Sequence, residues 1–197
     1  ISFSKKMETT IIIPTYNERE NIERLIEEIF LLLPEISILV VDDNSPDGTA
    51  SAVKKLIAKF SNLSILGRPI KNGLGGAYIE GFKKVLIDPD IKNIIMMDGD
   101  FSHNPKYLPQ LIAEAKNYSL VVGSRYIMGG GIAKWELWRR ILSAGGNFYV
   151  RSLLGKQVHD WTGGFNCIHA NYLRKVNLDK IDLSGYAFIM GLKYFLV

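Results

Sequence analysis

Short apolar runs alternate with amphipathic stretches from residue 10 onward. Thr10-Ile11-Ile12-Ile13-Pro14 predicts a first buried strand, which runs into Thr15-Tyr16-Asn17-Glu18. Ile22, Leu25, Ile26 and Ile29 then recur at helical spacing, and Asn17 with Glu20 stand as a capping box would. Ile38-Leu39-Val40-Val41 predicts a second strand ending in Asp42-Asp43-Asn44-Ser45. Val53, Leu56, Ile57 and Phe60 mark the helix after it. A short third strand spans Leu63 to Leu66, and a glycine-containing loop from Arg68 to Gly76 leads to another helix. Ile94-Ile95-Met96-Met97 is the fourth strand, and Asn104-Pro105 opens the next helix. Leu120-Val121-Val122 is a fifth strand, ending in Gly123-Ser124-Arg125. Residues 126–135 are glycine-rich and predicted mobile, 136–154 read as an amphipathic helix, and 164–169 as a further strand.

Strands alternating with helices imply right-handed βαβ units and a mostly parallel, doubly wound α/β sheet. Ligands in such sheets sit beyond the carboxyl ends of the strands. Tyr16, Asp43, Asp98, Asp100 and Arg125 all follow strands, so they are expected to gather at one rim. No repeat and no second domain is visible; residues 1–197 read as a single catalytic domain, cut at both ends. The composition, 47% hydrophobic and 22% charged, is that of a globular chain. A net charge of +4 favours anionic partners such as phosphates or a lipid surface. Nothing in the Lys and Arg pattern suggests nucleic acid. The single cysteine, Cys167, excludes an internal disulfide, and no apolar run is long enough to span a bilayer.

The candidate chemistry centres on Asp98-Gly99-Asp100. Two carboxylates at a strand end make a hard oxygen site suited to Mg²⁺ or Mn²⁺, with a phosphate as a further ligand. Gly99 is expected to let the backbone turn tightly between them. An acidic turn without a metal satisfies the same residues. A dinucleotide fold is excluded, because the first strand's turn has no glycine and Gly73-Leu74-Gly75-Gly76-Ala77-Tyr78 follows the third strand instead. A Walker loop is absent as well. What remains is a nucleotide-diphosphate site built with a metal. There Tyr16 can stack on a base or pack the strand end, and Asp43 can accept a base N–H. One of Asp42 and Asp43 is expected to cap the helix near Pro46. His103 can ligate the metal or serve the loop.

Three segments carry a resemblance: Pro14-Thr15-Tyr16-Asn17-Glu18, Val40 to Thr49, and Met97-Asp98-Gly99-Asp100-Phe101-Ser102-His103-Asn104-Pro105. The chain resembles the family 2 glycosyltransferases, and within them the polyprenol (dolichol) phosphate mannose synthases. Gly73-Leu74-Gly75, Gly123-Ser124-Arg125-Tyr126 and Asp160-Trp161-Thr162-Gly163-Gly164-Phe165 extend the likeness in order from Met7 to about Phe188. It implies a GT-A type fold, a GDP-mannose donor, Mg²⁺ or Mn²⁺, a polyprenyl or dolichyl phosphate acceptor, and a place at the cytoplasmic face of a membrane. Position by position, it implies Pro14, Tyr16, Glu18, Asp43 and Asp98 for the nucleotide sugar and Lys71 for the diphosphate. Asp98, Asp100 and Ser102 would serve the metal, Arg125, Arg139 and Ser143 the acceptor phosphate, and Asp160 the reacting carbon. Asp160, Asp100 and Lys71 would carry the catalysis, with Asp160 orienting the sugar or steadying positive charge. Asn166 stands where the family often has arginine, and Ile189-Met190-Gly191 where it usually has Gln-x-Glu. Trp135 and Trp138, beside Arg139 and Arg140, suit a membrane interface or the packing face of the helix. A UDP-glucose donor, a sugar-hydroxyl acceptor and a non-catalytic binding module are the competing readings. Oligomeric state has no signal in the sequence.

Overall fold

A computed structural model describes residues 8–127, 137–181, 183 and 185–197, with side chains in the helix that begins at Leu137 described from Ser143 on. The strands are β1 (Thr9–Thr15), β2 (Ser37–Asp42), β3 (Leu63–Gly67), β4 (Asn93–Met96), β5 (Leu120–Val122) and β6 (Asn166–His169). The helices are α1 (Ile22–Leu32), α2 (Thr49–Ile57), α3 (Gly73–Val85), α4 (Leu108–Glu114), α5 (Leu137–Leu154), the single turn α6 (Ala170–Leu173) and α7 (Gly185–Leu196). Every strand expected from the apolar pattern is present. The predicted mobile segment, from residue 128 on, and Trp135 lie outside the described residues, as do the side chains of Trp138 and Arg139.

One sheet runs β3-β2-β1-β4-β6-β5. β1, β2, β3 and β4 are parallel, and β6 is antiparallel to both β4 and β5. That reversal matters, because β5 therefore ends at the same rim as β1, β2 and β4, whereas β6 begins there. The loop before β6 is delivered to the rim by the start of a strand rather than by its end.

Side chains alternate between the two faces, as the period of two demands. Ile11, Ile13, Ile38, Val40, Ile95 and Cys167 meet α1, α2 and α4 on one face. Ile12, Leu39, Val41, Ile94, Met96 and Ile168 meet α3, α6 and α7 on the other. Each such fully buried aliphatic side chain contributes about 1.5–3 kcal/mol. α3 and α7 approach closely because Gly75 has no side chain; a Cβ there would lie 2.8 Å from the Leu183 carbonyl oxygen.

Two local expectations are corrected. Asn17 and Glu20 form no capping box: α1 starts at Ile22, and Asn17 sits in the left-handed region at φ +60°. Its backbone N–H donates to Ser45 Oγ at 3.1 Å, which ties the turn after β1 to the turn after β2. Neither Asp42 nor Asp43 caps α2, which starts at Thr49. Asp42 instead accepts from Thr15 Oγ1 and from Ser45 N and Oγ, all within the rim loops.

Candidate functional site

Among the described residues three that are not glycine are left-handed, Asn17, Asn44 and Phe101, and each follows a strand at this rim. Asparagine tolerates that conformation, but Phe101 at φ +64° is strained. These turns enclose an open cleft of about 280 Å³ bordered by Pro14, Tyr16, Glu18, Asp43, Lys71, Asp98 and Asp100. All seven were expected at a nucleotide-sugar or metal site, and they come from four separate segments. Gly73 and Leu74 also border the cleft, so the first turn of α3 faces it. Its unpaired N–H groups and positive dipole end suit a diphosphate.

Asp43 has a partner that sequence reading missed. Arg68, at the end of β3, donates to Asp43 Oδ1 at 2.5 Å and to Glu80 Oε1 at 2.9 Å. The Arg68 and Asp43 side chains are only 4% and 7% exposed. Burial works against the guanidinium charge, yet the hydrogen bonds it donates to Glu80 and Asp43 raise its pKa overall. The pair fixes how Asp43 faces the cleft. Lys71 Nζ lies 3.6 Å from the centre of the Tyr16 ring, a cation–π contact. Tyr16 and Lys71, expected as base platform and diphosphate lysine, are thus in mutual contact.

At the end of β4, Asp98 and Asp100 both border the cleft. Glycine's freedom is not what turns the chain. The left-handed residue is Phe101, and a Cβ on Gly99 would meet Glu18 Cγ at an ordinary 3.4 Å. His103 holds the turn from within: the Asp98 N–H donates to Nδ1 at 2.9 Å, and the ring stacks on Phe165 with centroids 4.9 Å apart. Nδ1 is therefore an acceptor, the proton sits on Nε2, and that edge faces Asp98 Oδ2 at 3.6 Å. Burial lowers the His103 pKa despite the charges of Asp98 and Asp100. His103 is thus a neutral support for Asp98. Ser102, expected as a further metal ligand, is exposed and does not border the cleft; its backbone N–H donates to Asp100 Oδ1 at 2.9 Å and so orients that carboxylate.

Among the described residues no three His, Cys, Asp or Glu side chains converge as a ready-made cage. The pair nonetheless fits a hard cation. Burial and then the Asp100 charge raise the Asp98 pKa, which a cation would relieve, and two carboxylates leave positions open for phosphate oxygens. The fully buried Tyr78 hydroxyl is pushed well up, by burial first and by the Asp98 charge second. It stays a neutral phenol beside Asp98.

A second cluster lies where β5 ends and β6 begins. Arg125 Nε and Nη2 donate to the two Asp160 oxygens, both at 2.9 Å, and Nη2 also reaches Thr162 Oγ1 at 2.6 Å. Asp160 further accepts from Gly163 N at 2.8 Å and is 0% exposed. Burial would raise its carboxyl, but the hydrogen bonds and charge of Arg125, with the Lys193 charge, hold it below the ordinary carboxylate value. Asp160, expected near the reacting carbon, is engaged by protein donors on both oxygens and holds Arg125. Ser143, expected beside Arg139 and Arg125, bonds the Tyr126 hydroxyl at 2.6 Å. Asn147 of α5 accepts from Trp161 N at 2.9 Å and donates to the His159 carbonyl at 2.6 Å, docking the helix onto this loop.

The mostly parallel sheet, its reversed strand and the carboxylate pair at the rim define a GT-A type α/β transferase fold. Residues 10–181 match the family model Glycosyl transferase family 2, and the chain belongs to that family. It is 38% identical over 188 residues to undecaprenyl-phosphate mannosyltransferase of Micrococcus luteus, covering 95% of this chain and 77% of that protein. It is 39% identical over 188 residues to polyprenol monophosphomannose synthase of Mycolicibacterium smegmatis, covering 94% of this chain and 71% of that one. Glucosyl-3-phosphoglycerate synthase from Mycobacterium tuberculosis, solved with uridine-diphosphate, superposes with a TM-score of 0.66 at 18% identity. A structure of that synthase with Mn²⁺, UDP-glucose and phosphoglyceric acid gives 0.65 at 17%. In both, 94% of this chain matches but only 63% of the synthase, a likeness of fold.

Proposed function

We propose that the protein transfers mannose from GDP-mannose to a polyprenyl (dolichyl-type) phosphate, with inversion at the sugar, at the cytoplasmic face of a membrane. The observation that carries this is the cleft itself: a base platform, two carboxylates and a helix N-terminus line one rim, and a buried Arg–Asp unit lies beside it. The relatives named above act, by name, on polyprenyl-type phosphates. Exposed Phe148, Tyr149 and Leu153 on α5 suit a lipid surface, and among the described residues no helix is long and apolar enough to cross a bilayer.

The acceptor phosphate oxygen attacks the anomeric carbon, the bond from that carbon to the donor phosphate oxygen breaks, and the electron pair leaves with GDP. A phosphate monoester is already ionised at pH 7, its second pKa being about 6, so no general base is needed. This fits an Asp160 whose oxygens are all engaged. Tyr16 and Asp43 bind the base, Lys71 and the first turn of α3 meet the diphosphate, and Asp98 and Asp100 would hold Mg²⁺ or Mn²⁺. When bound, that ion supplies charge stabilisation for the leaving diphosphate. Arg139 and Ser143, at i, i+4 on α5, together with Arg125, meet the acceptor phosphate.

Calorimetry with GDP-mannose against UDP-glucose tests the donor. Tighter binding of UDP-glucose would replace the mannosyl reading. Asp43→Asn should weaken GDP and GDP-mannose by the same factor, roughly 10- to 150-fold for a lost charge-assisted contact. A loss confined to GDP-mannose would move Asp43 to the sugar.

A further inference from the structure

We propose that Lys193 is a positioning residue for the acceptor side of the site, holding the turn from Asp160 to Gly163 so that Asp160 can present Arg125 at the rim. The proposal rests on the transferase reading above and extends it to a residue outside the cleft.

α7 is an apolar helix whose Phe188, Ile189, Leu192 and Leu196 are buried. Lys193 lies among them and is 1% exposed. Taking an ammonium out of water is costly, so packing alone would favour leucine or methionine here. The ammonium is instead aimed at one turn: Nζ donates to the Asp160 carbonyl at 2.6 Å and to the Gly163 carbonyl at 2.8 Å. Asn166 Nδ2 shares the Gly163 carbonyl at 3.0 Å. Asn166 and Gly191, two of the positions that depart from the resemblance, therefore lie beside this lysine in space or in sequence. Lys193 grips the backbone of the residue whose carboxylate takes both Arg125 nitrogens. Backbone on one side and carboxylate on the other leave Asp160 little freedom.

The link is also electrically tuned. Burial lowers the Lys193 ammonium to about 7, the Asp160 charge opposing this and the Arg125 charge adding to it. His103 is the further titratable group that feels the Lys193 charge. Since the folded-state value lies below the ordinary one, the ammonium is charged below about pH 7 and neutral above. A neutral amine still has N–H donors, but it loses the charge that draws in both carbonyls and the carboxylate. Positioning of Arg125 should therefore weaken as pH rises.

The test compares the full chain with Lys193→Met and Lys193→Arg. Transfer from GDP-mannose to a short polyprenyl phosphate in detergent micelles is followed from pH 6 to 9, with GDP affinity by calorimetry as the control for folding. At pH 6.5, Lys193→Met should lower acceptor kcat/KM at least tenfold while GDP affinity stays within about twofold, and its profile should lack the fall above pH 7. Lys193→Arg should retain activity and carry that fall at least one pH unit higher. An activity-independent arm follows the Arg125 Nε–H resonance by NMR, assigned through Arg125→Lys; it should be slowly exchanging in the parent and lost in Lys193→Met. An Arg125 signal unchanged in Lys193→Met, or an alkaline limb unmoved in Lys193→Arg, overturns the proposal. A parent that transfers no mannose from GDP-mannose but shows the expected NMR change would overturn only the transferase reading.

Discussion

Asp100→Ala should lower sugar transfer by roughly 10²- to 10³-fold, the loss seen when one preorganised stabiliser of developing charge is removed. Asp100 is exposed at the cleft, and among the described residues its hydrogen bond is with the Ser102 N–H, so little of the fold depends on it. The melting temperature should stay within a few degrees of the parent. If the carboxylate pair holds Mg²⁺ or Mn²⁺, EDTA should weaken donor binding in the parent and have no further effect in the variant. Titration with Mn²⁺ alone should show binding that fails as pH falls, because the Asp98 pKa is raised by burial and by Asp100 and protons then compete for the site. Donor affinity indifferent to both EDTA and Asp100→Ala would remove the metal from the reaction.

Arg125→Ala should destabilise the fold more than any substitution in the cleft. Asp160 is fully buried, and removing its guanidinium leaves a carboxylate without its main charge partner; breaking such a pair costs about 3–5 kcal/mol. For a domain of this size that is a fall in Tm on the order of 10 °C. The pH dependence gives the sign. In the parent, the lowered Asp160 pKa contributes stability above the ordinary carboxylate value, lost as pH falls through the folded-state value. In the variant, burial would raise the carboxyl instead, so its penalty is absent below about pH 4 and grows as pH rises. The difference in Tm between parent and variant should thus be larger at pH 8 than at pH 5. Equal differences at both pH values would mean that Asp160 is not left as an uncompensated charge, Lys193 then serving as its counterion.

The rim was largely legible because strand ends announce themselves locally. Tyr16, Asp43, Asp98 and Asp100 each follow an apolar run, and parallel connections carry them to one edge. Gly99 was misread for the same local reason: an Asp-Gly-Asp triplet looks like a turn that needs glycine, whereas the strain lies at Phe101. The surroundings of Asp160 were not legible, because the direction of β6 has no signature in its own residues. Only pairing against β4 and β5 makes it antiparallel and brings its preceding loop to the rim.

Alternating apolar runs and helical periodicities determined the α/β sheet, its two buried faces and the carboxylate pair at the end of β4. These are properties of a few neighbouring residues, and periods of two and 3.6 act at that range. The tertiary structure alone decided which charges pair. Arg68 meets Asp43 across 25 residues, Lys193 meets Asp160 across 33, and Arg125 meets Asp160 across 35. A lysine in an apolar helix or an arginine after a strand has many possible partners in sequence. Burial makes an unpaired charge too costly, so the fold settles each one on the group that packing brings within reach.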